Sequence, residues 1–220
     1  RITQLFSPFL LAAFLLILPQ GCKTPDEVSP DGDDDDVDIT VHEEDSDYTW
    51  NTADEVLITL NGTSATITGS GASASGGKVT ITKPGSYRVK GSLSDGQIVV
   101  NSSGSELVRI ILHGANITSS NSAPIYIKDA GKAIIVLETG SSNSLTDGTS
   151  YTYDVVADEE PNSTIFSKSD LTLTGEGSLA VTGKFADAIV SKDGLIIKSG
   201  IYTINAADDG IRGKDYLIIQ

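Results

Sequence analysis

From Glu55 onward apolar and β-branched residues come in short runs of four to six, many of them alternating with polar ones: EVLITL, KVTITK, SYRVKG, LVRIIL, AIIVLE, LTLTG, LIIKSG and YTINA, bounded by Gly, Ser, Asn or Asp. Residues two apart share a face of an extended chain, so each run predicts a short strand with one inward and one outward face. No window of this region keeps a 3.6-residue apolar period. The expectation is therefore an all-β domain.

The runs are also restated. IFSKSDL, IVSKDGL and IRGKDYL begin at Ile165, Ile189 and Ile211, at intervals of 24 and then 22 residues. Self-similarity at such a period is the signature of stacked units that bury together what none can bury alone. The predicted architecture is a right-handed parallel β-helix, a solenoid whose coils lie one strand spacing, about 4.8 Å, apart. Ile165, Ile189 and Ile211 then form one inward ladder, and Leu171, Leu195 and Leu217 a second. Ile125 in IYIKDAG falls on an earlier coil, because Lys128 follows it at the same offset. The 40 residues from Ile125 to Ile165 exceed one coil by about 16 to 18. That excess is expected to leave the stack as a loop between Thr146 and Thr164. An antiparallel sandwich would also give short strands with frequent turns, but it does not predict a restated heptapeptide. The final run, YLIIQ, carries no cap, so the stack is expected to continue in a longer parent chain.

The region before Glu55 has a different texture. Leu10 to Leu18 reads LLAAFLLIL, too short to span a bilayer and suited to the apolar core of an export signal. It ends at Gly21 and Cys22, the point at which a bacterial lipoprotein signal is cut and its cysteine lipidated. Residues 1–21 are thus expected to be a lipoprotein-type signal peptide, with Cys22 as the lipidation site and the outer surface or outer membrane as the location. Residues 22–54, which include Asp33 to Asp36, are too acidic to bury a core and are expected to be a solvated tether. Residues 55–220 are the folded domain.

Composition narrows the partners. Fifteen Lys plus Arg against thirty Asp plus Glu give a net charge of −15, which repels nucleic acid and anionic membranes and suits cations or polyhydroxyl ligands. Membrane contact is expected only through the lipid. The single cysteine allows no internal disulfide. His42 and His113 have no partners at metal-ligand spacing, and the chain has no serine nucleophile motif, phosphate-binding glycine loop or zinc pattern.

The candidate chemistry lies in carboxylates, lysines and aromatic rings. Asp187 and Asp209 are 22 residues apart, each two before a ladder isoleucine, so they fall on one site of adjacent coils. Two carboxylates about 5 Å apart repel by about 1 kcal/mol in water and about 3 kcal/mol at an effective dielectric of 20, a cost that a divalent cation removes. With Asp208 as a further oxygen donor, the group is a candidate calcium site; the competing reading is that aspartate before glycine simply makes a turn. Asp158, Glu159, Glu160 and Asn162 in the expected insert are a second candidate metal group. Lys128, Lys168, Lys192 and Lys214 share one register position, each with an aspartate nearby, which reads either as a neutralised surface network or as a row of ammonium groups for the carboxylates of a sugar polymer. Tyr151 and Tyr153 in the insert, like Trp50, are candidate platforms for sugar rings.

Taken together, GKVTITKPGSYRVKGSLSDGQIVVN, GANITSSNSAPIYIKDAGKAIIVLETGSSNSLTDG, EPNSTIFSKSDLTLTGEGSLAVTG, DAIVSKDGLIIKSG and ADDGIRGKD resemble the clostridial cellulose- and polygalacturonate-binding parallel β-helix family. It is a carbohydrate-binding domain family similar to pectate lyases in fold and calcium sites. The resemblance runs from about Glu55 to the end. It implies calcium as the cofactor and non-catalytic, extracellular binding of acidic or β-linked plant polysaccharide, with Lys168, Lys192, Lys214, Tyr151 and Tyr153 as sugar-binding residues and no catalytic residue. Two alternatives stand beside it: a calcium-dependent polysaccharide lyase with Lys192 or Lys214 as base, and a structural adhesin or spacer. An aspartate beside each lysine favours its charged form, which weighs against the lyase.

Overall fold

A computed structural model describes residues 43–153 and 159–220 of the chain. The expected signal, Cys22, the run Asp33 to Asp36 and Asp158 lie outside the described residues. No described segment forms an α-helix, and strands follow one another in the places where the apolar alternation puts them.

The strand stack starts with two hairpins. β1 (Val56–Gly62) pairs antiparallel with β2 (Ala65–Thr68), and β3 (Ala72–Ser75) pairs antiparallel with β4 (Lys78–Ile81). Every other described pairing is parallel. β5 (Gly85–Leu93), β6 (Gln97–Asn101) and the long β7 (Leu107–Thr118) lead into sets of three: β8 (Ile125–Asp129), β9 (Lys132–Leu137) and β10 (Ser142–Thr146); then β11 (Ser163–Ser167), β12 (Leu171–Gly175) and β13 (Ser178–Gly183); then β14 (Asp187–Ser191), β15 (Gly194–Ile197) and β16 (Ile201–Ala206). β17 (Ile211–Gly213) and β18 (Tyr216–Ile219) open a further set.

Each strand pairs with its counterpart one repeat away, which produces three strips. The first, β3-β4-β6-β8-β11-β14-β17, is a seven-stranded sheet. The others, β9-β12-β15-β18 and β10-β13-β16, belong to one eleven-stranded sheet because β7 serves both. Its Leu107–Leu112 half pairs with β9 and its Asn116–Thr118 end with β10.

The ladders occur in the expected register. Ile125, Ile165, Ile189 and Ile211 are successive Cα partners, and Ile98 extends the row by one strand. Leu171, Leu195 and Leu217 form the second row, with Ala133 as their neighbour on β9. The inward side chains of the strips meet in one continuous core, where burying each Ile or Leu contributes about 1.5 to 3 kcal/mol of transfer free energy. Close stacking also dictates glycine. Gly175 has φ +110°, and a Cβ there would stand 2.1 Å from the Leu137 carbonyl oxygen, so β12 can follow β9 at this spacing only without a side chain.

The excess between Ile125 and Ile165 leaves the stack after β10 and rejoins it at β11. The N-terminal boundary, by contrast, differs from expectation. Residues 43–54 are not solvated tether: Asp45–Tyr48 and Thr52–Asp54 form short 3-10 turns, and this segment is held against outward positions of the eleven-stranded sheet. Glu43 accepts from Thr172 Oγ1 at 2.6 Å and pairs with Lys198 at 3.3 Å, Asp47 pairs with Lys132, and the Asp47 carbonyl accepts from Arg109 Nε at 2.7 Å. Glu43 and Asp47, two of the acidic residues that suggested solvation, are neutralised by cations on the sheet.

Candidate functional site

The outward face of the seven-stranded sheet carries the site. Because alternate residues point outward, strands with inward Val79, Ile98, Ile125 and Ile165 must present Thr80, Val99, Tyr126 and Phe166 to the other side. The register sets these side by side in one file that continues to Val190 and Arg212. The middle of the file is apolar. Val99, Ala123, Tyr126, Phe166 and Val190 form a second cluster, and Tyr126 meets Phe166 edge-on with centroids 5.8 Å apart. Part of it is covered by the insert, whose Tyr151 packs on this cluster and stacks on Phe185 at 4.5 Å. The insert is pinned by Thr152 N–H donating to the Asn121 carbonyl at 2.8 Å and by Tyr151 O–H donating to Asp147 at 2.8 Å.

Where the cover stops, a cleft of about 380 Å³ opens. Val99, Tyr126 and Pro161 supply its apolar surface, Lys78, Gln97, Asn101 and Asn121 its polar groups from the stack, Thr152 and Glu160 those from the insert, and Lys128 and Lys168 also line it. An apolar floor among amides, hydroxyls and ammonium groups can cover the C–H side of a sugar ring while bonding its hydroxyls.

The four lysines follow paired positions. Lys168, Lys192 and Lys214 donate backbone N–H bonds to the preceding strand at 2.9, 2.8 and 3.0 Å, and Lys128 stands at the matching place on β8. Lys168 and Lys192 share a partner that the neighbouring aspartates did not suggest. Glu160 reaches from the insert and bridges the two, with Oε2 2.8 Å from Lys168 Nζ and Oε1 2.7 Å from Lys192 Nζ. Burial would raise the Glu160 pKa, but hydrogen bonds and charge from Lys168 and Lys192 outweigh it and hold it below the ordinary carboxylate range. Lys214 does lie near its own aspartate, 3.9 Å from Asp215. Asp193, by burial and the proximity of Asp215 and Asp170, titrates above the ordinary range.

The carboxylates expected to hold calcium are arranged differently from that expectation. Asp187 and Asp209 do meet, but through backbone: Asp209 N–H donates to Asp187 Oδ1 at 3.0 Å. The other Asp187 oxygen is paired with Arg212, and the Asp187 side chain is buried, at 3% exposure. Asp208 and Asp209 are exposed. Among the described residues no three acidic, histidine or cysteine side chains come together to hold a metal ion. The group does not fit calcium, because the arginine already supplies the cation. Of the described members of the insert set, Glu159 is exposed, Glu160 is committed to lysines and Asn162 is half-buried, with its Oδ1 lacking a hydrogen-bond partner.

The insert tyrosines are not open platforms. Tyr151 is a packing residue whose hydroxyl is pushed well above its ordinary pKa by burial and by Asp147. Tyr153 is half-buried, 6.4 Å from it. The sequence reading did not single out Lys78, Gln97, Asn101, Asn121 and Tyr126 for ligand contact. The outward half of each alternation held the available signal, in KVT, QIVVN and IYIK.

An all-β stack of parallel strands with a polar cleft on an outward sheet face is the class of protein that the geometry defines. The family model of carbohydrate-binding domain-containing proteins matches residues 75–220, and the chain belongs to that family. A carbohydrate-binding domain-containing protein of Acetivibrio thermocellus is 41% identical over 136 residues, covering 62% of this chain and 48% of the relative. The chain thus spans about half the length of the curated relative it matches. Among solved structures it is similar to a polysaccharide lyase-like protein from C. thermocellum, a gadolinium derivative, with a TM-score of 0.68 and 32% identity over 75% of this chain and 79% of that one.

Proposed function

We propose that the chain is a non-catalytic polysaccharide-binding module whose three strips close into a right-handed β-helix, held at the bacterial surface by a lipid on Cys22. The observation that carries the reading is the cleft over Tyr126, walled by amides and lysines. It runs across successive strands, and a polymer whose units repeat along an extended chain suits a surface whose strands repeat in the same way. Lys78 and Lys128 in the cleft lining favour acidic polymers such as polygalacturonate over neutral β-glucans.

The lyase alternative has support in the lyase-like structural neighbour. It needs a neutral lysine as proton acceptor, whereas of the two candidate bases Lys192 is engaged as a cation by Glu160 and Lys214 lies 3.9 Å from the Asp215 carboxylate. Calorimetric titration with polygalacturonate, run beside ultraviolet detection of unsaturated product, tests both. The expected result is binding without product. Gln97→Ala with Asn101→Ala removes two wall amides, and at about 1 kcal/mol per hydrogen bond weakens binding about thirtyfold. Unsaturated product would make the chain a lyase; unchanged affinity in the double variant would move the site off this face.

A further inference from the structure

Lys168 and Lys192 belong to different repeats, yet one carboxylate serves both. Glu160 lies at the junction of the insert and β11, contributes to the cleft wall, and gives one oxygen to each ammonium at 2.8 and 2.7 Å. A uronate carboxylate arriving along the cleft would seek the same two donors. Charge, the number of acceptor oxygens and the two-point geometry are alike, and both lysines remain partly open to solvent, at 34% and 44% exposure. The pairing expected from sequence, each lysine with its adjacent aspartate, would not have placed a carboxylate in the cleft.

We propose that Lys168, in the cleft lining, and Lys192, one repeat further on and just outside that lining, form an anion subsite at the end of the cleft, and that Glu160 occupies it as an internal stand-in for a sugar carboxylate, setting the specificity of the module. This rests on the cleft being the glycan site. With Glu160 in place both ammonium groups are engaged, so neutral segments bind through the amide walls and Tyr126 without competition. An acidic segment gains its carboxylate contact only by displacing the Glu160 side chain. The apparent affinity for acidic polymer is therefore the intrinsic affinity reduced by the fraction of time the lysine pair is released. The insert, rather than the strand stack, sets the preference between acidic and neutral chains.

The test is titration of the full chain and of Glu160→Gln with polygalacturonate and with a soluble neutral β-glucan. If Glu160 holds the pair about nine-tenths of the time, Glu160→Gln binds polygalacturonate about tenfold more tightly and the neutral glucan as before. Glu160→Gln with Lys168→Gln and Lys192→Gln returns polygalacturonate affinity to the wild-type level or below. Should Glu160→Gln disturb the insert, wild-type affinity under added acetate supplies a second arm: a small carboxylate that competes for the released lysines weakens polygalacturonate binding and leaves neutral glucan untouched. Wild-type binding of polygalacturonate that is unchanged or weakened by Glu160→Gln overturns the stand-in role and leaves the glycan site intact. Failure of every form to bind either polymer overturns the glycan site itself, and the inference with it.

Discussion

At the scale of single residues, the contact that most constrains the reading is Asp187 with Arg212. A carboxylate stacked one repeat from another needs a positive neighbour, and a guanidinium supplies it here as a metal would elsewhere. Asp187→Asn keeps an acceptor for Asp209 N–H but loses the charge that Arg212 answers. A hydrogen bond to a charged group is worth about 1.5 to 3 kcal/mol, and with Arg212 at 47% exposure the lower end applies. At about 2 to 4 °C per kcal/mol for a chain of this size, thermal denaturation should shift down by about 3 to 6 °C. The shift is expected to be the same in calcium and in chelator, because the cation concerned is part of the protein. A shift seen only in calcium would return the aspartates to a metal.

Among the elements, residues 43–54, the strap held on the eleven-stranded sheet by Glu43 and Asp47, have the largest consequence for stability. Ile111 and Ile134 stand apart from the shared core, yet they are 1% and 0% exposed. Their partners in register, Arg88, Arg109 and Thr172, are the residues that grip Glu55, the Asp47 carbonyl and Glu43. A chain shortened to begin at Glu55 loses Trp50 from beside Ile111 and leaves Lys132 and Lys198 without Asp47 and Glu43. Compared with a chain beginning at Glu43, it should melt lower and bind an apolar dye; equal melting temperatures would mean that the strap contributes nothing. The strap also shows what the sequence could not convey. The Ile165, Ile189 and Ile211 repeat was legible because each inward residue meets its own counterpart one period away, a local rule that spacing alone encodes. The strap and the insert obey no period. Their acidic residues look like solvated tether until the cations across the sheet, far away in sequence, are placed beneath them. The cleft was half legible: the lysine row followed from the repeat, but its partner Glu160 and the Gln97 and Asn101 wall depend on how an aperiodic segment folds back.

For the whole molecule, the distribution of charge decides how an acidic polymer would arrive. The net charge of −15 opposes a polyanion at distances beyond the cleft, whereas Lys78, Lys128 and Lys168 act within the cleft itself. Salt separates these two ranges, since the Debye length shrinks from roughly 14 Å near 50 mM to about 7 Å near 200 mM. Screening the long-range repulsion should raise the association rate for polygalacturonate about threefold over that interval. Screening the short-range contacts should raise the dissociation rate as well. Most basic clefts lose association rate on adding salt, so a rising rate would be the mark of local attraction inside a repulsive envelope. Surface-plasmon measurements on the wild type and on Glu160→Gln distinguish the contributions. The variant changes the net charge by one unit only, so its association rate should follow the same salt trend at a level raised by the permanent release of the lysine pair, which carries the gain in affinity. An association rate that falls with salt in both proteins would mean that the cleft's field, not the net charge, governs the encounter.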